Sequence, residues 1–423
     1  MVDKGLQTLL AVTIVAAIAP MIAAALPGKR VPQVVILIFL GILVGPHVLG
    51  LADTQSIQLL SSIGLGFLFL LAGYELDPHL FRERPGRLAM AGWAFSAAIA
   101  IGVVAFLTAV HYVYDFVPIG LALTTTALGT LLPILNDNDM LGGKFGRNVM
   151  AAGAVGELFP IVAISLFLTK RQQFAAIASL LVVGVVALAL TTLPRLIGSA
   201  RLRAVIQQGK RATAQTTLRW AIVLLMALLV AAERFGLDVV LGAMLAGIVL
   251  RTWTRRMGVD VEPLEVKLEA VGYGIFIPIF FVSSGMSLDI RAVIDNPTRL
   301  LVFLLLLLVV RGLPSLLIYA RVMPLIQRLE MTFITATTMP LLIALAEIGQ
   351  RDGTMLPSNA AALVGAGVLS VLFFPSIAAA LHKRGQRGGA TRPDPEPAQA
   401  PAGAAAAPAA PGAPAGAPGP SSG

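Results

Sequence analysis

The sequence predicts an all-α polytopic membrane protein of about thirteen transmembrane helices, with an inverted-topology repeat relating spans 2–6 to spans 9–13 and two broken helices. Three observations predict it. Apolar runs of bilayer length recur along the chain, Lys and Arg alternate between the segments that join them, and short motifs return half a chain later.

The 423 residues are 57% apolar and only 13% charged, whereas soluble domains carry about 25% charged residues. Crossing the hydrocarbon core as a helix takes about 17–25 residues. Runs of suitable length lie at 5–26, 32–50, 57–75, 88–110, 116–135, 148–169, 173–194, 217–235, 238–253, 269–287, 300–320, 329–349 and 360–381. They are too long for barrel strands, so helices must satisfy the backbone. The first run follows Lys4 and ends in Ala23–Ala25, a pattern shared with signal peptides. Its length suits a retained first span.

Place the N-terminus outside. Inner segments then hold Lys29 and Arg30; Arg82, Arg84 and Arg87; Lys144 and Arg147; and the basic stretch from Arg195 to Arg219. They continue with Arg251, Arg255, Arg256 and Lys267; Arg321 and Arg328; and Lys383, Arg384, Arg387 and Arg392. Outer segments hold only Lys4, Lys170, Arg171, Arg234, Arg291, Arg299 and Arg351. This positive-inside pattern predicts a multi-pass protein of a bacterial inner membrane with a cytoplasmic C-terminus. The formal charge of +9 therefore reports orientation in a lipid bilayer, and no nucleic-acid partner is expected. The 195–219 loop is expected to lie as a helix along anionic headgroups. Residues 1–384 form the expected membrane domain. The Ala/Pro/Gly-rich tail, 385–423, cannot bury a core and is expected to be disordered. No nucleotide-binding domain is expected after the last span.

Several chemistries are excluded or disfavoured. The chain has no Cys, which removes disulfides, thiol catalysis and thiolate metal sites. His47, His79, His111 and His382 are too scattered for a metal cluster. No catalytic His, Cys or paired carboxylates lie in the spans, so neither an enzyme nor a cofactor is expected.

The repeat rests on three motif pairs. Span 3 ends in LLAGYELDPHLF and span 10 in FVSSGMSLDIRAV, with Gly73-to-Asp77 matched to Gly285-to-Asp289 at an offset of 212. Span 6 reads AGAVGELFPIVA and span 13 AGVLSVLFFPSIA, with Pro160 and Pro375 offset by 215. Gly41 of span 2 and Gly247 of span 9 are offset by 206. The offset equals seven spans, an odd number, so matched helices run in opposite directions. Inverted repeats mark transporters, with the site near the midplane between the halves.

Spans 5 and 12 carry the expected breaks. Span 5 contains TTTALGTLLP, with Thr125, Thr126, Gly129 and Pro133; span 12 contains TATTMP, with Thr338 and Pro340. Pro removes a donor, and Thr hydroxyls compete for backbone groups. Freed carbonyls and hydroxyls are hard oxygen ligands suited to alkali cations.

Two charges sit at span centres: Glu157 in span 6 and Arg311 in span 11. A central charge costs at least about 2.5–3.5 kcal/mol, which marks it as functional by default. Burial favours the neutral carboxyl and a nearby cation favours the ionised one. Proton and monovalent cation then compete for Glu157, with Arg311 as its charge partner or competitor; a structural Glu157–Arg311 pair that holds two helices together is the alternative. If the site reorients only when neutralised, one proton exchanges for one cation without net charge movement.

The stretch LPGKRVPQVVILIFLGILVGPHVLGL (Leu26–Leu51), then FLFLLAGYELDPHLF, FFVSSGMSLD (Phe280–Asp289) and SVLFFPSIAAAL (Ser370–Leu381), resembles the cation/proton antiporter superfamily over about residues 5–385. The sodium/hydrogen-exchanger and Kef-type potassium-efflux branch is most similar. The resemblance implies thirteen helices and a homodimer. It also implies a scaffold of spans 1–3 and 8–10, a moving core of spans 4–6 and 11–13, and broken spans 5 and 12 crossing beside an acidic span 6. The family's essential carboxylate maps to Glu157 and its basic residue to Arg311. Where the family has Asp-Asp, Asn-Asp or Gln-Asp, this chain has Gly156-Glu157, which favours an Arg311–Glu157 contact. The Gly-Glu-Phe/Ala sequence of Kef-type span 12 is replaced by Met339-Pro340-Leu341. Na+ and K+ stay undivided by the residues. A sodium-coupled organic-anion symporter on a related fold, and an ion channel or non-transporting sensor, stay open as alternatives.

Overall fold

The computed structural model describes residues 4–25, 31–76, 78–168, 173–196, 215–256, 262–288 and 290–387. Asp77, Asp289, most of the 195–219 loop and the tail beyond Arg387 lie outside the described residues. Apart from short turns and connections, these residues are helical.

The first half contains α1 (Lys4–Ala25), α2 (Gln33–Val44), α3 (Gln58–Glu75), α4 (Arg84–Ala109), α5 (Phe116–Ala122), α6 (Leu128–Asp137), α7 (Gly143–Phe167) and α8 (Gln173–Leu196). The second contains α9 (Thr216–Arg234), α10 (Val239–Arg256), α11 (Glu262–Val271), α12 (Ile277–Met286) and α13 (Ile290–Asp295). It ends with α14 (Pro297–Leu307), α15 (Pro314–Ile318), α16 (Leu325–Ala336), α17 (Pro340–Arg351) and α18 (Pro357–Arg387). One π-helical turn, Gly272–Phe276, joins α11 to α12, and another, Leu308–Gly312, joins α14 to α15. Among the described residues, nine helices or joined helices are long and apolar enough to cross a membrane, and Gln33–Val44 and Ile177–Leu190 are shorter apolar segments. α18 runs to Arg387, past the expected start of the tail at 385.

Helices dominate because apolar side chains face lipid or neighbours while each helix satisfies its own backbone. Phe106, Phe174, Leu181 and Leu188 are exposed on α4 and α8, as lipid-facing side chains would be. By contrast, α7 and α17 are largely buried, and they carry the polar residues discussed below.

Two packing groups emerge. In the first, α3 lies along α10 and α12, α2 lies along α12, and α1 and α9 flank them. Four glycines let backbones touch. A Cβ at Gly73 would lie 2.1 Å from the Met244 carbonyl oxygen, and one at Gly247 would lie 2.1 Å from that of Leu70. The α2–α12 crossing has the same construction: Gly41 would meet the Val282 oxygen at 2.3 Å, and Gly285 that of Ile38 at 2.2 Å. Small residues that admit close backbone approach are a standard interface in membranes, where lipid supplies no hydrophobic drive between helices.

The second group comprises α4–α7 and α14–α18, with α16 and α14 against α18 and α4 against α7. The groups meet chiefly where α7 passes α10, α2 passes α18 and α3 passes α6, while α8 touches both.

Two helices break. The α5–α6 break spans residues 123–127, and the α16–α17 break spans 337–339. Thr124 and Thr125 hydroxyls bond back to the Leu121 and Ala122 carbonyls at 2.8 and 2.7 Å. The next amides leave the helix altogether: Thr126 donates to the Gly156 carbonyl and Ala127 to that of Thr337, both at 3.0 Å. Pro340 occupies the first turn of α17, where its missing N–H costs nothing. The expectation that Gly129 and Pro133 sit at the break is corrected. Both lie inside α6, because the threonines interrupt the ladder before either is reached.

Candidate ion-binding site

The two breaks meet. Thr125 Oγ1 and Thr338 Oγ1 are 2.7 Å apart, so the hydroxyls bond across the crossing. The amide of Ala127 on the carbonyl of Thr337 adds a backbone tie. Ser370 of α18 locks the other strand: it accepts from the Thr338 amide at 3.2 Å and lies 2.9 Å from the Thr338 carbonyl. Each broken helix thus satisfies freed backbone groups on its neighbours, as buried irregular backbone in a membrane must.

Glu157 projects from the middle of α7 toward this crossing and is 7% exposed. The amides of Gly129 and Leu128, in the first turn of α6, face its carboxylate. That turn carries unsatisfied N–H groups and the positive end of a helix dipole, an arrangement that favours an anion. Glu75, at the end of α3, is near enough for its charge to act on Glu157. Glu265 and Glu269 of α11 act in turn on Glu75. Tyr273, in the π-helical turn, feels Glu75, Glu269 and Glu157 together. The α3–α11 side of Glu157 thus gathers several carboxylates, with Arg251 acting against them on Glu75.

Arg311 is 3% exposed and lies in the other π-helical turn, a distortion frequent at functional sites. Its Nε donates to Thr126 Oγ1 at 2.9 Å and its Nη2 to the Ala152 carbonyl at 3.0 Å. Thr126 passes the link on, donating to the Thr335 carbonyl at 2.6 Å. Thr335 approaches the Arg311 carbonyl and, at 3.1 Å, Ser315 Oγ.

The predicted Arg311–Glu157 contact does not form; no ion pair engages Glu157 among the described residues. The reason is helical geometry. Ala152 and Gly156 are one turn apart on one face of α7, and the next residue, Glu157, points about 100° away. A Cβ at Gly156 would lie 2.6 Å from Arg311 Nη2 and 2.6 Å from Thr126 Oγ1. The guanidinium thus fills the space where the family pattern carries a side chain. A buried guanidinium needs hydrogen-bond acceptors, and Thr126 and Ala152 supply two of them, neither a carboxylate.

Of the residues expected at the site, the structure gathers Thr125, Thr126, Thr338, Arg311, Pro340 and Glu157 around the crossing, with Gly129 supplying an amide. It leaves Pro133 within α6. Sequence reasoning missed Ser370, Ser315 and the approach of Glu75. It also missed a buried pair in which His382 Nδ1 lies 2.9 Å from Glu330 Oε2. No described group of His, Asp or Glu is arranged to hold a metal ion.

With this geometry in place, comparison with known proteins is informative. A family described as "Sodium/hydrogen exchanger, transmembrane" matches residues 12–384. YjbQ of Bacillus subtilis (strain 168), provisionally assigned as a Na(+)/H(+) antiporter, is 27% identical over 414 residues, covering 91% of this chain and 64% of its own. The glutathione-regulated potassium-efflux system protein KefC of Shigella sonnei (strain Ss046) is 28% identical over 287 residues, covering 64% of this chain and 44% of its own. The chain thus spans less than two thirds of either relative. The structure of the sodium proton antiporter MjNhaP1 from Methanocaldococcus jannaschii at pH 8 superposes with a TM-score of 0.65 at 17% identity, covering 90% of this chain and 99% of that one. The two share a fold.

Proposed function

The chain belongs to the sodium/hydrogen exchanger transmembrane family, and from that premise we propose that it exchanges protons for a monovalent cation, Na+ or K+, at Glu157. The observation that carries the reading is the buried Glu157 carboxylate, faced by the first amides of α6 and engaged by no ion pair among the described residues. Either a proton or a cation neutralises it, and neither can stay while the other binds. A single carboxylate trading one charge for one charge makes exchange electroneutral.

Arg311 is then a fixed positive charge beside the crossing. It braces Thr126 and α7 while leaving Glu157 free to bind. Thr125 and Thr338 hold the breaks together through their hydroxyl-to-hydroxyl bond. Among the named relatives, the potassium-efflux protein supports a Kef-type placement.

The reading takes all thirteen apolar stretches as spans, with the N-terminus outside. It takes spans 2–6 and 9–13 as an inverted repeat. The glycine contacts support the repeat. Gly41 on Val282 and Gly247 on Leu70 are equivalent contacts at offsets of 206 and 212, and Ile38–Gly285 and Met244–Gly73 repeat them. A pseudo-two-fold axis in the membrane plane relates contacts in this way. The sparse meeting of the two packing groups supports a scaffold of spans 1–3 and 8–10 beside a moving core of spans 4–6 and 11–13. A homodimer completes the reading.

The test is dissipation of an imposed pH gradient in proteoliposomes, with sodium, potassium, lithium and choline compared. Dissipation is expected with sodium or potassium and not with choline, and Glu157→Gln should abolish it. No cation dependence in the wild type would overturn the reading.

A further inference from the structure

On the outer side of the crossing, α12 and α17 approach each other with almost no close backbone contact. A hydrogen bond joins them instead. Ser284 Oγ donates to Glu347 Oε1 at 2.9 Å, while also lying 2.8 Å from the Phe280 carbonyl. Beside this bond is a small cavity of about 30 Å³, lined by Ser287 and Gln350 and otherwise mainly by apolar side chains, Ala360 and Ala361 of α18 among them. A space of that size holds one or two waters, or a single ion.

Arg351, one turn further along α17, is near enough for its charge to act on Glu347, yet it forms no ion pair with it among the described residues. Glu347 lies on α17 seven residues beyond Pro340, on the same helix face, about 10 Å outward of the break at 1.5 Å per residue. Among the described residues, Ser284 is the one side chain that hydrogen-bonds it, and no ion pair engages it. An acidic side chain within a membrane helix is costly, and function is the default account of it. The ligands at hand are a carboxylate, serine hydroxyls and an amide oxygen. These hard oxygen donors suit a small inorganic cation rather than an anion or an organic substrate.

We propose that Glu347, with Ser284, forms a second cation station, on the outer half of the path, for the same monovalent ion that Glu157 binds. The station rests on the exchange reading above for the identity of its ion. It also places one ligand on each packing group, Ser284 on α12 and Glu347 on α17, so occupancy bridges the surfaces that would slide. A cation arriving from outside meets Glu347 before the crossing, and one leaving meets it last.

The absence of native Cys makes a direct probe available. Ala361→Cys places one thiol on the cavity wall. In oriented vesicles, sodium or potassium on the outer side should slow its modification by a membrane-impermeant thiol reagent, whereas choline should not. Adding Glu347→Gln or Ser284→Ala should remove that protection. In transport, Glu347→Gln should raise the apparent KM for cation presented outside roughly tenfold more than for cation presented inside, the scale of one partly screened charge contact. Labelling that ignores sodium and potassium, or KM values that shift equally on both faces, would overturn the station. The exchange reading fails on a different result, a wild-type protein whose proton flux needs no cation.

Discussion

The bundle of α2, α3, α10 and α12 and the crossing of the broken helices are both buried, and they are held together by opposite means. In the bundle, backbone rests on backbone: Gly73 and Gly247 seat on carbonyls of the facing helix, and Gly41 and Gly285 do the same at the second crossing. Around the break, the backbone ties of Thr126 to Gly156 and Ala127 to Thr337 are joined by hydroxyls and one guanidinium. The contrast separates two tasks. Glycine-to-backbone contacts have no alternative arrangement, so they make a rigid frame. Hydrogen bonds among Thr125, Thr338, Thr126 and Arg311 can be exchanged for bonds to an ion at modest net cost. Glu157 belongs to the exchangeable region, and the two regions meet along a thin interface.

Substitutions should divide along the same line. The largest effect is expected at Glu157→Gln: cation-dependent proton flux should fall to that of protein-free liposomes, while thermal unfolding in detergent stays close to wild type. Loss of folded protein instead would move Glu157 into the frame. Gly247→Val should do the reverse. Its branched side chain would be driven into the Leu70 carbonyl and Tyr74 amide, costing about 3 kcal/mol or more, read as a large drop in unfolding temperature or in monodisperse yield. A folded, active Gly247→Val protein would break the comparison.

Gly156→Ala should act between these extremes. The new Cβ displaces Arg311 Nη2 and Thr126 Oγ1, each at 2.6 Å, and loses hydrogen bonds to a charged group of about 1.5–3 kcal/mol each. Transport should fall by about tenfold with moderate destabilisation. Unchanged flux would mean that the guanidinium has no role at the crossing. The smallest change is expected for Ser315→Ala, which removes one bond to Thr335 and should shift stability by about 1 kcal/mol, with transport retained.

Much of the frame was legible in the sequence because its rules are periodic. Apolar length finds the helices, and the spacing of Gly41, Gly73, Gly247 and Gly285 marks the positions that seat on facing backbones before any contact is known. The breaks were legible to within a few residues. Their cause was misplaced, since Pro133 announces itself more loudly than Thr124 and Thr125, whose hydroxyls do the interrupting. The site was legible as a list and not as a geometry. A central Glu and a central Arg invite pairing, but which face of α7 each one meets depends on helix rotation, and one residue's difference turns the contact from Glu157 to Ala152 and Gly156. Ser370, Ser315 and the Ser284–Glu347 bond were invisible, because serine in an apolar helix bonds to its own backbone by default. The buried Glu330–His382 pair was equally hidden: its residues lie 52 positions apart on helices whose contact no local pattern reveals.

Competition of proton and cation for Glu157 is the central claim, and the pH dependence of cation affinity tests it most directly. The apparent KM for sodium or potassium should be measured in proteoliposomes across a pH series with the two faces clamped at equal pH. Competition predicts a KM that climbs as pH falls, approaching tenfold per pH unit on the acid side, with a maximal rate that returns at saturating cation. A KM that stays flat while the maximal rate alone collapses in acid would contradict it, placing the proton on a group other than the one that holds the cation.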